Sequence, residues 1–277
     1  MAPGYKTGLV LLMLLAVNPL EAANDNYPAG AGNAALGNAG VMMPGFWSVF
    51  HNQAGLGYYN HLSAGVHHEN RFFVPEFNIH SIAVTIPVPT ATLGASYTYS
   101  GYRVYNESKL GIGIGKAFHE RFSAGIQLDY LHIHSSAEYG NSSAIAAEAG
   151  VIAKPLNNLY IGFHIFNPTG AKHSAESGEE LIPVIMRFGL GYYFSERLFF
   201  GLETEKDLGV RQPLFRSGIE YRIIQAIYAR TGIELEGSVH HSLGLGFSFG
   251  GIRADISFMH YQLVGYTPFL SLSYEFR

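Results

Sequence analysis

From residue 227 to the C-terminus the chain alternates apolar and polar residues in one extended run after another, and this repetition limits the possible folds more than any other feature. Ile227, Ala229, Thr231, Ile233 and Leu235 fall on one side, opposite Tyr228, Arg230, Gly232, Glu234 and Glu236. Successive side chains of a strand point to opposite faces, so one such run alone would suit a soluble sheet with one wet face. The pattern then recurs. Leu243, Leu245, Phe247 and Phe249 oppose Gly244, Gly246 and Ser248, and Ile252, Ala254, Ile256 and Phe258 oppose Arg253, Asp255 and Ser257. The chain stops on Leu270, Leu272, Tyr274 and Phe276, alternating with Ser271, Ser273 and Glu275. A final strand with an aromatic-ended apolar face suits closure against the first strand of a barrel, which leaves no edge unpaired.

Composition decides what lies outside such a barrel. Charged residues are 14% of the chain, against about 25% in soluble domains, while aromatics also reach 14% and glycine numbers 33. No apolar run after residue 20 is long enough for a transmembrane helix. Low charge without a spanning helix fits a closed sheet in lipid, where every backbone group must be paired internally; a secreted soluble β-sandwich is the competing reading. The expected fold is therefore all-β, a transmembrane antiparallel β-barrel of about 14 strands. The strand runs are expected near 61–72, 78–88, 91–104, 108–118, 121–134, 142–154, 158–167, 181–194, 197–206, 213–223, 226–236, 240–249, 252–263 and 268–277. Turn signals such as His119-Glu120, Asn157-Asn158, Ser195-Glu196 and Gly250-Gly251 separate them.

Lys6, the apolar run 9–17 and the small residues Ala22 and Ala23 read as a cleaved signal peptide over 1–23. Export plus barrel strands implies a bacterial outer membrane, with its lipid and lipopolysaccharide as neighbours. The absence of Cys excludes disulfides, thiol chemistry and lipoprotein anchoring, and a net charge of −4 carries no signature of nucleic-acid binding. Residues 24–60 differ from the rest: Gly, Ala and Asn dominate, yet Leu36, Val41, Phe46, Trp47 and Phe50 are too apolar for disorder. This stretch is expected to form a compact plug in the mouth of the barrel, with 61–277 as the wall. Phe122 and Tyr130, at the two ends of one apolar face, with Tyr97, Tyr99, Tyr192, Phe194 and Tyr221, read as aromatic girdles.

Charge on the lumen-facing parity concentrates in Glu203, Glu205, Arg216, Glu220, Arg222, Arg230, Glu234, Glu236, Arg253 and Asp255. Acids and bases on neighbouring strands are expected to neutralise one another, filling the barrel or holding the plug; a selective polar pore is the alternative. Every acid has a plausible basic neighbour, so no catalytic pair stands out. Glycines 111, 113 and 115 repeat on one face, as though another backbone approached them, or as simple barrel curvature. Among 13 His, only His132 and His134 share a strand face closely enough to suggest a metal, and two ligands do not make a site. No metal, cofactor or catalytic residue is expected, and the reading is non-enzymatic. Only 135–141 and 170–180 look longer than tight turns. The second carries Lys172, His173, Glu176, Glu179 and Glu180 and is the candidate partner or gating loop.

The small-residue stretch at 32–40, Gly-Asn-Ala-Ala-Leu-Gly-Asn-Ala-Gly, is followed by Asn52, Ala54, Gly55 and Leu56, with Gln53 standing where an N-P-A-G-L motif has Pro. With the glycine-rich strands at 181–191, 215–221 and 242–247, this resembles FadL-like outer-membrane proteins, especially the PorV/PorQ branch of Bacteroidota. The resemblance implies a 14-stranded barrel with an N-terminal plug. It also implies one of two activities: an accessory or scaffold role in a type IX secretion-like complex, acting through a protein partner, or, as the alternative, transport of a hydrophobic ligand into the cell. The charged lumen and short loops favour the accessory role at this stage. A conduit would instead show an apolar pocket beside the plug and a break near Pro75, Pro87, Pro183 or Pro213.

Overall fold

The computed structural model describes residues 26–136, 140–175 and 178–276. The expected signal peptide lies outside the described residues. Sixteen strands are present: β1 Ser63–Asn70, β2 Asn78–Val88, β3 Ala91–Gly101, β4 Tyr105–His119, β5 Phe122–Ser135, β6 Ser142–Leu156, β7 Leu159–Phe166, β8 Lys172–Ala175, β9 Gly178–Leu181, β10 Ile185–Ser195, β11 Leu198–Asp207, β12 Leu214–Ile224, β13 Ile227–Glu236, β14 Ser238–Phe249, β15 Ile252–Tyr261 and β16 Gly265–Glu275. All except β8 and β9 form a closed antiparallel ring of fourteen. Closure runs through β1 and β16, from Ser63 opposite Glu275 to Glu69 opposite Phe269, and through β5 and β6, from Phe122 opposite Ala153 to Ile133 opposite Ser142.

Period-two burial follows the alternation in the sequence. In β5, Phe122, Ile126, Leu128 and Tyr130 are exposed on the outer wall, whereas Ser123, Gly125, Gln127 and Asp129 face inward and are buried. Ile126 is 62% and Leu128 63% exposed, which in water would be an aggregation surface and in lipid is the expected state. One end of the barrel carries tight turns and the start and finish of the ring, where the Phe276 N–H donates to Leu62 O at 2.8 Å. The register shifts in the β4–β5, β6–β7, β10–β11 and β12–β13 pairs all fall beside these turns, where an extra residue adds twist without disturbing the wall.

The other end carries the longer connections, and there are more of them than expected. Besides 136–141 and 167–184, two short 3-10 turns occupy 71–77 and an irregular segment occupies 208–213. The first strand therefore stops at Asn70, because Phe72 and Phe73 adopt left-handed backbone angles of 58° and 59° that a ladder cannot accommodate. The candidate loop at 170–180 is also not an open loop. β8 and β9 pair as a hairpin, tied to the wall by Ser143 opposite Ser174.

Residues 26–60 lie inside the ring. Helix α1 (Ala31–Ala34), helix α2 (Ser48–His51) and a 3-10 turn over Gln53–Tyr58 are each a turn or two long. Segments this short are unstable alone and are held by the wall. Phe46, Trp47, Val49, Phe50 and Leu56 form one apolar cluster with Ala83 of β2, and Leu36 and Met42 pack on Phe199 of β11.

Candidate functional site

The plug sits on glycine. A Cβ at Gly115 or Gly125 would collide with the backbone of Gln53, and one at Gly232 with the backbone between Leu36 and Gly37. Of the glycines on β4, Gly115 thus admits the plug, while Gly111 and Gly113 make room for the Gln127 side chain. Gly37 itself, at φ 66°, turns the chain against Ile233. Lumen-facing serines and acids then collect the backbone groups that such short helices leave unpaired. Ser242 accepts from the Gly37 N–H at 3.0 Å and donates to Ala35 O at 2.9 Å, Ser257 donates to Ala31 O at 2.7 Å, and one oxygen of Glu203 accepts both the Gly40 and Val41 N–H groups at 2.8 Å.

The motif residues form the firmest anchor. The fully buried Asn52 amide donates to Val41 O at 2.8 Å and to Val151 O and Phe163 O, each at 3.2 Å, while its oxygen accepts the Ala54 N–H at 3.1 Å. It thereby joins plug to plug and plug to wall. Gln53, which replaces the motif proline, begins the 3-10 turn and donates to Glu148 at 2.6 Å. Ala54, Gly55 and Leu56 are buried in that turn, and Ser123 donates to Ala54 O at 2.5 Å. In the adjacent helix α2, burial followed by the Arg187 charge depresses the pKa of His51 to about 3, so the ring is neutral and bonds Ala29 O at 2.8 Å.

The lumen charges pair along the register. Glu203 lies opposite Arg216, which lies opposite Glu234, and Glu220 lies opposite Arg230. Arg216 accordingly reaches Glu203 at 3.1 Å, Glu205 at 2.6 Å and Glu234 at 2.9 Å. Arg230 holds Glu220 at 2.6 Å and Asp255 at 2.7 Å, and Arg253 lies 3.4 Å from Asp255. Two of the sequence-derived group fall outside this set. Arg222 keeps the lumen parity, opposite Tyr228, but lies at the turn end of β12, where it reaches Glu196 of the β10–β11 turn at 3.6 Å rather than a lumen acid. Glu236 is exposed at the loop end and makes no ion pair among the described residues, with His240 as a basic neighbour within 4.8 Å.

A second polar knot, on the opposite wall, is absent from the sequence-derived set. Lys109 contacts Glu148, lies 3.7 Å from Asp129 and donates to Asn26 at 2.7 Å, while His164 meets Glu148 at 3.0 Å. Arg187, opposite Glu205 in register, joins the first network at 2.7 Å. The usable signal was parity: Lys109 shares the inward side with Gly111, Gly113 and Gly115. Lys172 and His173 lie on the β8 hairpin with His173 buried; Glu179 and Glu180 are in β9, and Glu176 is outside the described residues.

A cavity opens at each mouth of the barrel. At the turn end a space of about 860 Å³ lies between the plug and the β12–β16 rim, lined by Met43, Phe46, Trp47, Tyr59 and Phe249 with Arg253 and Glu275. At the loop end a groove of about 710 Å³ runs between 181–185 and 208–214, lined by Leu181, Ile182, Val184, Leu208, Val210 and Leu214. Pro183 and Pro213 border this groove and Pro75 lies in a 3-10 turn, so none interrupts the ladder; Pro87 pairs with Thr92 beside a turn. Each mouth thus offers a recess of mixed polar and apolar lining, and the plug itself bounds the one at the turn end.

No protein-family model matches the chain, and no curated protein does. Solved structures do. The CymD monoaromatic hydrocarbon channel superposes with a TM-score of 0.71 at 14% identity, covering 92% of this chain and 99% of that one. The Ralstonia pickettii toluene transporter TbuX gives 0.68 at 10% identity, covering 90% and 98%. A Pseudomonas aeruginosa FadL homologue gives 0.61 at 12% identity, again covering 90% and 98%. The chain therefore has the fold of the FadL-like outer-membrane barrels, a closed antiparallel ring of fourteen strands.

Proposed function

We propose that this barrel is a non-enzymatic outer-membrane conduit for small hydrophobic molecules. The observation that carries this reading is a partly apolar recess at each mouth of a barrel whose plug is held by hydrogen bonds rather than by chain closure. Volumes of about 710 and 860 Å³ lie in the range that encloses small organic ligands. A permanently sealed scaffold has no use for a recess at both ends. The fold likeness to hydrocarbon channels supports the same reading in preference to the PorV/PorQ-like secretion accessory. The short hairpin over the rim also offers a partner little surface. Passage requires the plug to shift, since its backbone touches the wall on several sides. The charged knots are the elements that return it to its seat.

Uptake of radiolabelled toluene by cells expressing the barrel tests the proposal directly. Trp47, the sole tryptophan, lines the turn-end cavity and reports occupancy. The expected results are uptake above that of cells lacking the barrel, and saturable quenching of Trp47 by bromobenzene in the purified protein. No added uptake, together with a stoichiometric co-purifying protein, would overturn the conduit in favour of the accessory role.

A further inference from the structure

Independently of what the barrel transports, we propose that Glu234, Glu236 and His240 form a binding site for one divalent transition-metal ion at the loop-end mouth. Glu234 and Glu236 alternate on the inward face of β13, and His240 of β14 lies directly opposite Glu234 across a turn made at Gly237. Their ligand atoms all lie within 4.8 Å of one another. His240 Nδ1 is 3.7 Å from Glu234 Oε1, too long for a hydrogen bond. Metal–ligand bonds of about 2.0–2.1 Å at tetrahedral angles put neighbouring ligand atoms roughly 3.4 Å apart, close to the 3.7 Å between His240 Nδ1 and Glu234 Oε1.

Two of the three ligands are also oriented by partners of their own. Ser238 Oγ bonds His240 Nε2 at 2.8 Å, and Tyr261 lies against the ring at 4.4 Å between centroids. Nδ1 is consequently left buried, aimed at Glu234 and without a hydrogen-bond partner. Such outer contacts fix ring orientation and tautomer in metal sites. Arg216 takes Oε2 of Glu234 at 2.9 Å and leaves Oε1 free. Glu236 has no cation of its own. The vestibule of about 260 Å³ that the two carboxylates border holds Glu69, Glu205, Glu234 and Glu236 against Arg71 and Arg216. Even with Arg187 reaching Glu205, one carboxylate is in excess. One imidazole with two carboxylates suits Zn²⁺ and its first-row neighbours rather than Ca²⁺ or Mg²⁺, which take all-oxygen shells. The exposed side of Glu236 leaves the remaining positions to water from the vestibule.

The test uses the full barrel, stripped with chelator and carrying His68→Ala and His80→Ala. Those two outward rings, with Nδ1 atoms 3.2 Å apart, would otherwise bind Zn²⁺ at the wall. Isothermal titration with Zn²⁺ should show one site, weakened at least tenfold in Glu236→Gln, whose exposed side chain can change without loss of packing. Ser238→Ala, which touches no metal, should weaken it about tenfold. Crystals soaked in Zn²⁺ should give an anomalous peak about 2.0–2.2 Å from the three ligand atoms. Unchanged affinity in Glu236→Gln, or anomalous peaks only elsewhere, would overturn the site.

Discussion

Replacing Asn52 by alanine should release the plug while leaving the wall intact. The side chain is fully buried and makes three donor contacts and one acceptor contact. Truncation leaves the Val41 carbonyl and the Ala54 N–H without side-chain partners, and removes the cap of the Gln53–Tyr58 turn. An unsatisfied buried group costs about 1–3 kcal/mol and a lost N-cap about 1 kcal/mol, so some overlap leaves roughly 3 kcal/mol. That cost falls on the equilibrium between docked and undocked plug, since β6 and β7 keep their ladder. At 1.4 kcal/mol per tenfold, amides of residues 33–59 should exchange roughly 100-fold faster in hydrogen–deuterium exchange, with β13–β16 unchanged. Asn52→Asp, which keeps the cap acceptor but loses the donors, should fall between. Exchange within about threefold of the parent across the plug, in a protein with correct wall protection, would refute the assignment of Asn52 as the anchor.

Acidification should loosen the plug through His51. Its pKa is about 3 when docked and near 6.5 when free, so the undocked plug binds the extra proton. Docking is therefore at full strength above pH 6.5 and weakens as pH falls from there toward 3, by up to about tenfold per unit; plug exchange should show this slope, and His51→Gln should remove it. Gly115→Val sets a branched side chain against the backbone of Gln53 and Gly57; it should unseat the plug and raise ion conductance in planar bilayers. Lys109→Met leaves Glu148 and Asp129 buried without their cation. Losing one partner of a buried pair costs about 3–5 kcal/mol, so the midpoint of heat-induced unfolding on gels should drop clearly below that of the parent.

The strand alternation, the approximate strand boundaries and the outward aromatic girdles were legible in the sequence, because they depend on local periodicity. A strand between lipid and lumen must alternate every second residue, so β5 can be read from Phe122 to Ile133 without knowledge of its neighbours. The same parity placed Glu203, Arg216, Glu234, Arg230 and Asp255 inside. Parity stops short of partnership. That Arg216 serves three carboxylates depends on register, a property of strand pairs, and that Arg222 meets Glu196 depends on two turns lying side by side at one rim. Asn52 could be marked by its motif, yet its partners lie at Val41, Val151 and Phe163, up to 111 residues away. Lys109, Glu148 and His164 meet Gln53 and Asn26 only because the plug threads the closed ring. The attachment of the β8–β9 hairpin to the wall through Ser143 is likewise a contact between distant residues. Periodicity imposed by the solvent on each side acts residue by residue and was readable; the seat of the plug and its contacts to distant strands required the ring to close.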